Sequence, residues 1–306
     1  MEQINNILLR NYKESFKNDI LIIIPFFNPV NSVRITNNLL FVKNKLDYAK
    51  LPYIIYHCLF PNSHKILPES DTYQIIESNS YAFYKENLAG IIIKKNIEKY
   101  KKFIILDCDI IFDHVNWYDI ISDKLESYEF VHPFEKMYYI NYNFKINKDP
   151  CKITRYIKQN DIRLKNKNLK LTPGFIIAFT KDFFEKNIIP EECLLGGGDT
   201  HLYNLISNTR INIKEYYCIK KNITNPINYD YVDLTIYHLY HNEIINRQYI
   251  SRMDILNNYL KPNKNIYDLI EKDSNGLYQW KENIREQINK DILKYFENRK
   301  DDEITL

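Results

Sequence analysis

The first half of the chain alternates short apolar runs with longer segments of mixed polarity. Five aliphatic residues precede Pro25, and residues 19–27 are predicted to form a strand that is buried on both faces. Further strands are predicted at residues 53–59, 73–77 and 103–106, and helices at residues 32–47 and 82–99. This order predicts an α/β domain with a mostly parallel, Rossmann-like sheet flanked by helices.

The pattern is less regular after Trp117. A helix is predicted to continue to residue 127, and the polar region 132–170 is expected to form long loops with a short helix near residues 153–162. The remaining predictions are a strand at 173–179, helices at 181–187 and 200–207, and a mainly helical tail from residue 242, broken near 262 and at 273–276. We therefore expect one domain over residues 1–242 and a helical C-terminal appendage over residues 243–306.

The composition narrows the classes of function. The 306 residues are 45% hydrophobic and 26% charged, and the net charge of +3 provides no concentrated basic surface for a nucleic acid. No apolar run reaches the roughly 18 residues of a membrane span, and the N-terminus lacks the apolar core of a signal peptide. The five cysteines are widely spaced without a CxxC pair, which indicates neither a disulfide framework nor a zinc site. We expect a protein of the reducing cytoplasm.

Two carboxylates follow the apolar run at residues 103–106. Asp107 and Asp109 are two positions apart in the segment FIILDCDIIF, so in extended chain they point the same way at the carboxyl end of a buried strand. Clustered carboxylates repel each other unless a positive charge lies between them, and a hard divalent cation serves that purpose. Such a cation also suits a diphosphate ligand. The alternative is two solvated acids in a turn.

Three of the six glycines are consecutive, at residues 196–198. Consecutive glycines allow positive φ angles and close approach of the backbone to a ligand. Asp199 follows them at the start of a predicted helix. Its carboxylate could cap that helix, or it could accept a proton from an acceptor hydroxyl.

A histidine pair occurs in the segment YHLYHNEIINRQY. His238 and His241 are three residues apart, which places them on one face only if the segment is helical. Neutral imidazole is a common metal ligand. Asn246 and the cationic Arg247 lie nearby in sequence and could approach a diphosphate.

In combination, these segments resemble the GT-A glycosyltransferases. The resemblance rests on an opening strand with IIIPFFNP, a DxD motif in LDCDIIF, the acidic motif GGGD and the C-terminal histidine of HLYHN. More narrowly, the chain is similar to a group of bacterial and large-virus members over about residues 20–302. The further matches to that group are Lys85, Glu86, Asn87 and Leu88 (KENL), Trp117, the NRQY segment, Gly276, Leu277, Trp280, Tyr295, Phe296 and Arg299.

The resemblance implies a GT-A fold, a nucleotide-sugar donor, most often a UDP-sugar, and a Mn²⁺ or Mg²⁺ ion. It implies that Asp109 binds the metal directly and that Asp107 contacts the ribose, or the metal through water. His241 matches the C-terminal histidine ligand better than His238, which stays an alternative. Asp199 matches the base of an inverting enzyme, although Gly198 stands where the commoner motif has Glu.

The resemblance also implies a nucleoside pocket lined by Pro25, Phe26 and Asn28. Lys85 is expected near the uracil or the diphosphate, and Arg247 near the diphosphate. Residues 1–130 would form the donor half of the catalytic domain and residues 131–242 the acceptor half. The acceptor would be a glycan, a lipid or a protein, and the compartment would be the host cytoplasm if the protein is viral.

Two other functions stay open at the level of sequence. A haloacid-dehalogenase-like phosphatase also has its nucleophile in a DxD at a strand end, although usually on the opening strand and followed by Thr or Val. The second alternative is a non-catalytic carbohydrate-binding protein on the same fold. The sequence also leaves open the donor sugar, the acceptor, retention or inversion at the sugar, and the oligomeric state.

Overall fold

A computed structural model describes residues 2–146, 151–152, 174–187, 189–207, 227–248, 251–260 and 265–303. Its strands are β1 (Ile20–Phe27), β2 (Tyr53–Leu59), β3 (Tyr73–Glu77), β4 (Lys102–Leu106), β5 (Ile110–Phe112), β6 (Phe130–His132), β7 (Lys136–Tyr139), β8 (Cys151–Lys152), β9 (Ile176–Thr180), β10 (Tyr229–Tyr231), β11 (Thr235–His238), β12 (Ile270–Lys272) and β13 (Tyr278–Trp280). Its helices are α1 (Glu2–Leu9), α2 (Val33–Tyr48), α3 (Lys85–Asn96), α4 (Trp117–Lys124), α5 (Lys181–Lys186), α6 (Gly198–Ser207) and α7 (Glu282–Asn298), with 3₁₀ turns at Ile244–Arg247, Ser251–Asn258 and Ile266–Asp268.

The main sheet of the described residues has seven strands in the order β10-β6-β9-β4-β1-β2-β3. The pairs β1–β2, β1–β4, β2–β3 and β10–β6 are parallel, and β9 runs antiparallel between β4 and β6. The protein is therefore a mixed α/β molecule with a mostly parallel central sheet flanked by helices, as the sequence predicted. Because β1 and β4 are parallel, the residues that follow them lie at the same edge of the sheet.

The central strand β1 is apolar throughout because helices cover both faces of the sheet. Its residues alternate between two core clusters, with Leu21 and Ile23 in one and Ile22 and Ile24 in the other, and all four are at most 1% exposed. Full burial of a side chain of this size contributes about 1.5–3 kcal/mol. The hydrophobic run therefore determines the position of β1 at the centre of the sheet.

A second sheet has four strands in the order β5-β11-β7-β8. Its strand β5 begins shortly after the end of β4. Strand β11 pairs antiparallel with β5 and parallel with β7. The prediction of loops over residues 132–170 is wrong at β7. This strand pairs with β11, about 100 residues further along the chain, so the local sequence shows no pattern that would indicate it. The short helix predicted near residues 153–162 lies outside the described residues.

The tail predicted as mainly helical contains a β-hairpin, β12–β13. The predicted break at residues 273–276 is its turn, where Gly276 has φ +82° and the Asp273 carboxylate accepts hydrogen bonds from the backbone of Asn275 and Leu277. The closing helix is present as α7. The β-branched and aromatic residues of the hairpin favour extended chain, which explains the difference.

The C-terminal region packs on the same core as the first half of the chain. The Trp280 indole is fully buried and its Nε1–H donates to the Tyr81 carbonyl at 2.9 Å, and Phe296 stacks on Phe83 with ring centroids 4.7 Å apart. The domain boundary at residue 242 stays a prediction. Among the described helices, none combines the length and the apolar character that crossing a membrane requires.

Candidate active site

The two aspartates of the DxD motif lie between the two sheets. The Asp107 backbone N–H donates to the Phe175 carbonyl at 2.9 Å, and the Asp109 carbonyl accepts from the Leu239 N–H at 2.8 Å. Because β11 runs antiparallel to β5, His238 is the cross-strand partner of Ile110, next to Asp109. The topology therefore brings the histidine segment to the acidic pair across more than 120 residues of sequence.

Asp109, His238 and His241 form a buried group. Asp109 Oδ2 is 3.0 Å from His241 Nε2 and 3.5 Å from His238 Nε2. One ligand atom from each residue lies within 4.8 Å of the other two, and no other such group of His, Cys, Asp or Glu occurs in the part of the chain that the structure describes. Three converging oxygen and nitrogen donors are a plausible set for a divalent transition metal.

The two histidines converge without a helix. His238 is the last residue of β11, and His241 lies in the bend that follows, where Asn242 adopts φ +75°. The helical spacing considered from sequence is therefore wrong as the reason for their proximity. A strand end followed by a reversal of the chain brings the two rings to a centroid distance of 5.1 Å.

The two imidazoles have different hydrogen-bond partners. His241 Nδ1 lies 3.0 Å from the Asp301 carboxylate, which leaves Nε2 to face Asp109. His238 Nδ1 lies 2.7 Å from the Leu239 carbonyl, and its Nε2 is 3.0 Å from the Arg247 guanidinium. The pKa of His238 is lowered to about 3, mainly by burial and also by the charges of Arg247 and His241, while Asp109 opposes the fall. His238 is therefore neutral and accepts a hydrogen bond from Arg247.

Asp109 has the properties of a metal-ligating carboxylate. Burial raises its pKa, but His238, His241 and Arg247 together hold that pKa well below its usual value, so the group is ionised. Its Oδ1 is buried and has no hydrogen-bond partner among the described residues. A buried, ionised oxygen without a donor is costly unless a cation neutralises it. The residues present therefore fit a divalent cation.

Lys85 and Asp107 form an ion pair at the more open side of this group. Lys85 Nζ is 2.6 Å from Asp107 Oδ1, and the Asp107 side chain is 29% exposed. Lys85 is the first residue of α3, which begins at the edge of the sheet where β4 ends. Burial and the charge of Asp109 raise the pKa of Asp107, while Lys85 opposes that rise. The structure thus places Lys85 beside the DxD motif, and its position near a uracil or a diphosphate stays a prediction.

Asp199 belongs to the same cluster of charges. It lies in the first turn of α6, and its Oδ1 accepts a hydrogen bond from the Thr200 N–H at 2.6 Å. Its other oxygen approaches Gly174 so closely that a Cβ there would lie 2.4 Å away. The pKa of Glu86 is raised to about 8, mainly by burial and also by the charge of Asp199, while the charge of Lys85 opposes the rise.

Each of the three consecutive glycines has a structural role. Gly196 and Gly197 have φ angles of +80° and +82°, in the left-handed region that disfavours other residues. Gly198 has no such angle, but a Cβ there would lie 2.4 Å from the Glu86 carboxyl carbon. The first two glycines turn the chain, and the third admits Glu86 beside Asp199.

The residues predicted to line a nucleoside pocket lie in and after β1. Pro25 is paired with Tyr56 in the sheet, and Phe26 is 1% exposed with its ring edge-on to His57 at 4.8 Å. Asn28 uses both ends of its amide on the backbone of Ser32, at 2.9 and 2.8 Å. These contacts are internal to the fold and do not bring the three residues into the Asp109 group. Their role in a pocket stays a prediction.

No protein-family model matches the sequence, and no curated protein matches it. Three solved structures are similar in fold: the catalytic domain of Drosophila beta1,4galactosyltransferase 7, glucosyl-3-phosphoglycerate synthase from M. tuberculosis and mannosyl-3-phosphoglycerate synthase from Rubrobacter xylanophilus. They are 10%, 9% and 11% identical, with TM-scores of 0.37, 0.34 and 0.35. The matches cover 87%, 82% and 92% of this chain and 96%, 89% and 96% of the respective structures. Similarity at this level does not identify a function, which has to come from the residues of the site.

Two buried acidic residues of the site have no role predicted from the sequence. Glu86 lies in the KENL segment without a predicted role, and Asp301 was not singled out. The latter contacts His241 across 60 residues. No local pattern marks such a contact, although the Asp-Asp pair at residues 301–302 near the end of a charged helix is a weak signal.

Proposed function

We propose that the protein is a metal-dependent glycosyltransferase that moves a sugar from a nucleotide-sugar donor, most simply a UDP-sugar, to an acceptor hydroxyl with inversion. The acceptor would be a glycan, a lipid or a protein. The observation that supports this function best is the convergence of Asp109, His238 and His241 at the end of β4, where Asp109 Oδ1 is buried and has no hydrogen bond to any described residue.

Asp109 and His241 are the proposed metal ligands, with His238 as the third candidate. A divalent ion such as Mn²⁺ or Mg²⁺ held there would neutralise charge on the departing nucleoside diphosphate. Asp107 would contact the ribose, or the metal through water. Lys85, at the more open side, and Arg247 supply positive charge for the diphosphate.

Asp199 is the proposed general base, because its carboxylate lies among the charges of the site. Its Oδ1 accepts from the Thr200 backbone, which orients the group. In the proposed displacement the acceptor O–H proton passes to Asp199, and the acceptor oxygen forms a bond to the anomeric carbon. The bond from that carbon to the diphosphate breaks, and its electron pair leaves with the diphosphate.

The donor is tested by a thermal-shift panel of nucleotide sugars with and without Mn²⁺. A specific donor binds the native state and raises its melting temperature by mass action. Transfer is then measured with the donor that stabilises most, and Asp109→Ala is expected to abolish it while the far-UV circular dichroism stays native. A variant that transfers sugar at the wild-type rate would remove Asp109 from the mechanism.

Two assays distinguish the alternatives. Hydrolysis of an aryl phosphate would favour the phosphatase, and carbohydrate binding without donor turnover would favour the non-catalytic protein. NMR of the product decides the stereochemistry, because retention at the anomeric carbon is inconsistent with Asp199 as the base of a single displacement.

A further inference from the structure

Asp301 is a buried carboxylate that contacts the proposed metal ligand His241. Its side chain is 1% exposed, and its Oδ1 lies 3.0 Å from His241 Nδ1. The Arg299 guanidinium lies 3.1 Å from the same oxygen, and a permanent positive charge at that distance favours the ionised carboxylate. An ionised carboxylate accepts hydrogen bonds only, so His241 Nδ1 donates to it.

This contact determines which His241 nitrogen can bind a cation. With the proton on Nδ1, Nε2 carries the lone pair, and Nε2 is the atom that lies 3.0 Å from Asp109. A carboxylate behind a ligating imidazole orients the ring and makes it a stronger ligand. Among the described residues, no carboxylate lies behind His238, whose Nδ1 is against the Leu239 carbonyl and whose Nε2 contacts Arg247.

Contacts on both sides hold Asp301 in place. The Arg299 guanidinium lies 3.1 Å from Asp301 Oδ1, and the Asn242 side chain donates to the carbonyls of Arg299 and Lys300 at 2.9 and 2.7 Å. Asn242 directly follows His241. The segment that carries the carboxylate is therefore tied to the bend that carries the imidazole.

The next residue attaches the same segment to α2. The Asp302 carboxylate accepts from the Ser32 hydroxyl at 2.8 Å and from the backbone N–H of Val33 and Arg34 at 3.1 and 2.8 Å, at the start of that helix. We refer to residues 299–302 as the C-terminal clasp. It joins the first turn of α2 to the loop after β11.

We infer that Asp301 is a positioning residue, which acts through His241 to present Nε2 to the divalent cation, and that the contacts of Arg299 and Asn242 hold it there. This inference rests on the proposed function, since it requires a cation at Asp109 and His241. It adds a carboxylate from the C-terminal end of the described chain to a site otherwise formed by the two sheets.

The test is a titration of the purified full-length protein with Mn²⁺ in the absence of substrate. The electron paramagnetic resonance signal of the free ion reports how much Mn²⁺ is bound. Asp301→Ala is expected to weaken Mn²⁺ affinity about 10–100-fold, the usual cost of losing a carboxylate behind a metal-bound histidine. Asp301→Asn is expected to lose less, because its amide oxygen can still accept from Nδ1–H. In a His241→Ala background, Asp301→Ala should cause no further loss, since its effect passes through that ring.

Asp302→Ala is the matched control, because it removes an adjacent carboxylate of the same clasp. It should lower the melting temperature through the lost contacts with α2 and leave Mn²⁺ affinity close to that of the wild type. Equal losses of affinity in both variants would overturn the inference, since they would reflect a loosened segment.

The remaining outcomes separate this inference from the function on which it rests. Wild-type protein that binds no Mn²⁺ overturns the proposed metal site and the role of Asp301 with it. Wild-type binding with unchanged affinity in Asp301→Ala overturns the role of Asp301 alone. If Asp301→Ala fails to fold, the Mn²⁺ affinity of Asp301→Asn is compared with that of the wild type, and its melting temperature shows whether this variant is folded.

Discussion

At the scale of single residues, the chemistry depends on which atoms already have partners. His241 and His238 are both buried and both face Asp109, but only His238 Nε2 also contacts a guanidinium, at 3.0 Å. A lone pair that accepts from Arg247 is less available to a cation. The two histidines are therefore not equivalent ligands, a difference that their spacing in the sequence does not reveal.

We predict that His241→Gln weakens Mn²⁺ binding more than His238→Gln. The loss for His241→Gln should be at least the 10–100-fold expected for its carboxylate partner, because a ligand contributes more than the group behind it. Isothermal titration of both variants with Mn²⁺ measures the difference. The reverse order would make His238 the principal ligand.

A second residue-scale prediction concerns His57, a buried histidine outside the site. Burial lowers its pKa to about 4, and its Nδ1 lies 2.6 Å from the Tyr73 hydroxyl. In the unfolded chain its pKa is about 6.5, so below that pH the unfolded state binds the additional proton. The stability linked to His57 is therefore complete above pH 6.5 and is lost as the pH falls towards 4.

Urea unfolding of the wild type and His57→Gln at pH 7 and pH 5 measures this effect. Between these two pH values, the free energy of unfolding of the wild type should fall by about 2 kcal/mol more than that of the variant. His64→Gln, at an exposed position, is the control for the loss of a histidine. Parallel pH profiles for wild type and His57→Gln would contradict the prediction.

At the scale of elements, strand ends and turns place the acids and the bases. Asp107 lies directly after β4, Asp109 directly before β5 and His238 at the end of β11. Asp199 lies in the first turn of α6, after a turn that needs glycine at two positions. Strands β1 to β4 and β9 and helices α2 to α7 were predictable from periodicity. The pairing of β11 with β5 and β7 was not, because the partners lie about 100 residues or more apart.

The glycine turn allows backbone strain to be separated from crowding in the site. Gly197→Ala should lower the free energy of unfolding by about 1–2 kcal/mol, because its φ is +82°, while no atom of the described residues lies within 4 Å of an added Cβ. Gly198→Ala should instead displace the Glu86 carboxyl and lower the transfer rate, with a smaller effect on stability. Chemical unfolding and sugar transfer measured on both variants test this, and identical effects of the two substitutions would contradict it.

At the scale of the whole molecule, the C-terminal region is part of one structure with the nucleotide-binding half proposed for residues 1–130. Phe296 of α7 stacks on Phe83, and the Asn87 side chain bridges Gly276 and Tyr278 of the hairpin. The sequence motifs indicate only the order of the hairpin and α7 along the chain. Only the packed structure shows that they cover α3 and bring a carboxylate to the proposed metal site.

Phe296→Ala should therefore lower the free energy of unfolding by about 3–5 kcal/mol, the usual cost of emptying an aromatic core position. Its neighbour Glu297 is exposed, so Glu297→Ala should stay within about 0.5 kcal/mol of the wild type. Guanidinium unfolding followed by tryptophan fluorescence measures both. A loss below 1 kcal/mol for Phe296→Ala would show that α7 is a separate appendage.

The sequence by itself determined the α/β class, the burial of β1 and β4, the glycine turn and the acidic pair, because each of these depends on neighbouring residues. Apolar runs, glycine content and alternation along a strand are local properties. The tertiary structure alone decided that two histidines meet Asp109 without a helix, that Glu86 lies beside Asp199 and that Asp301 contacts His241. Those contacts join residues that are distant in sequence, and only strand pairing and core packing bring them together.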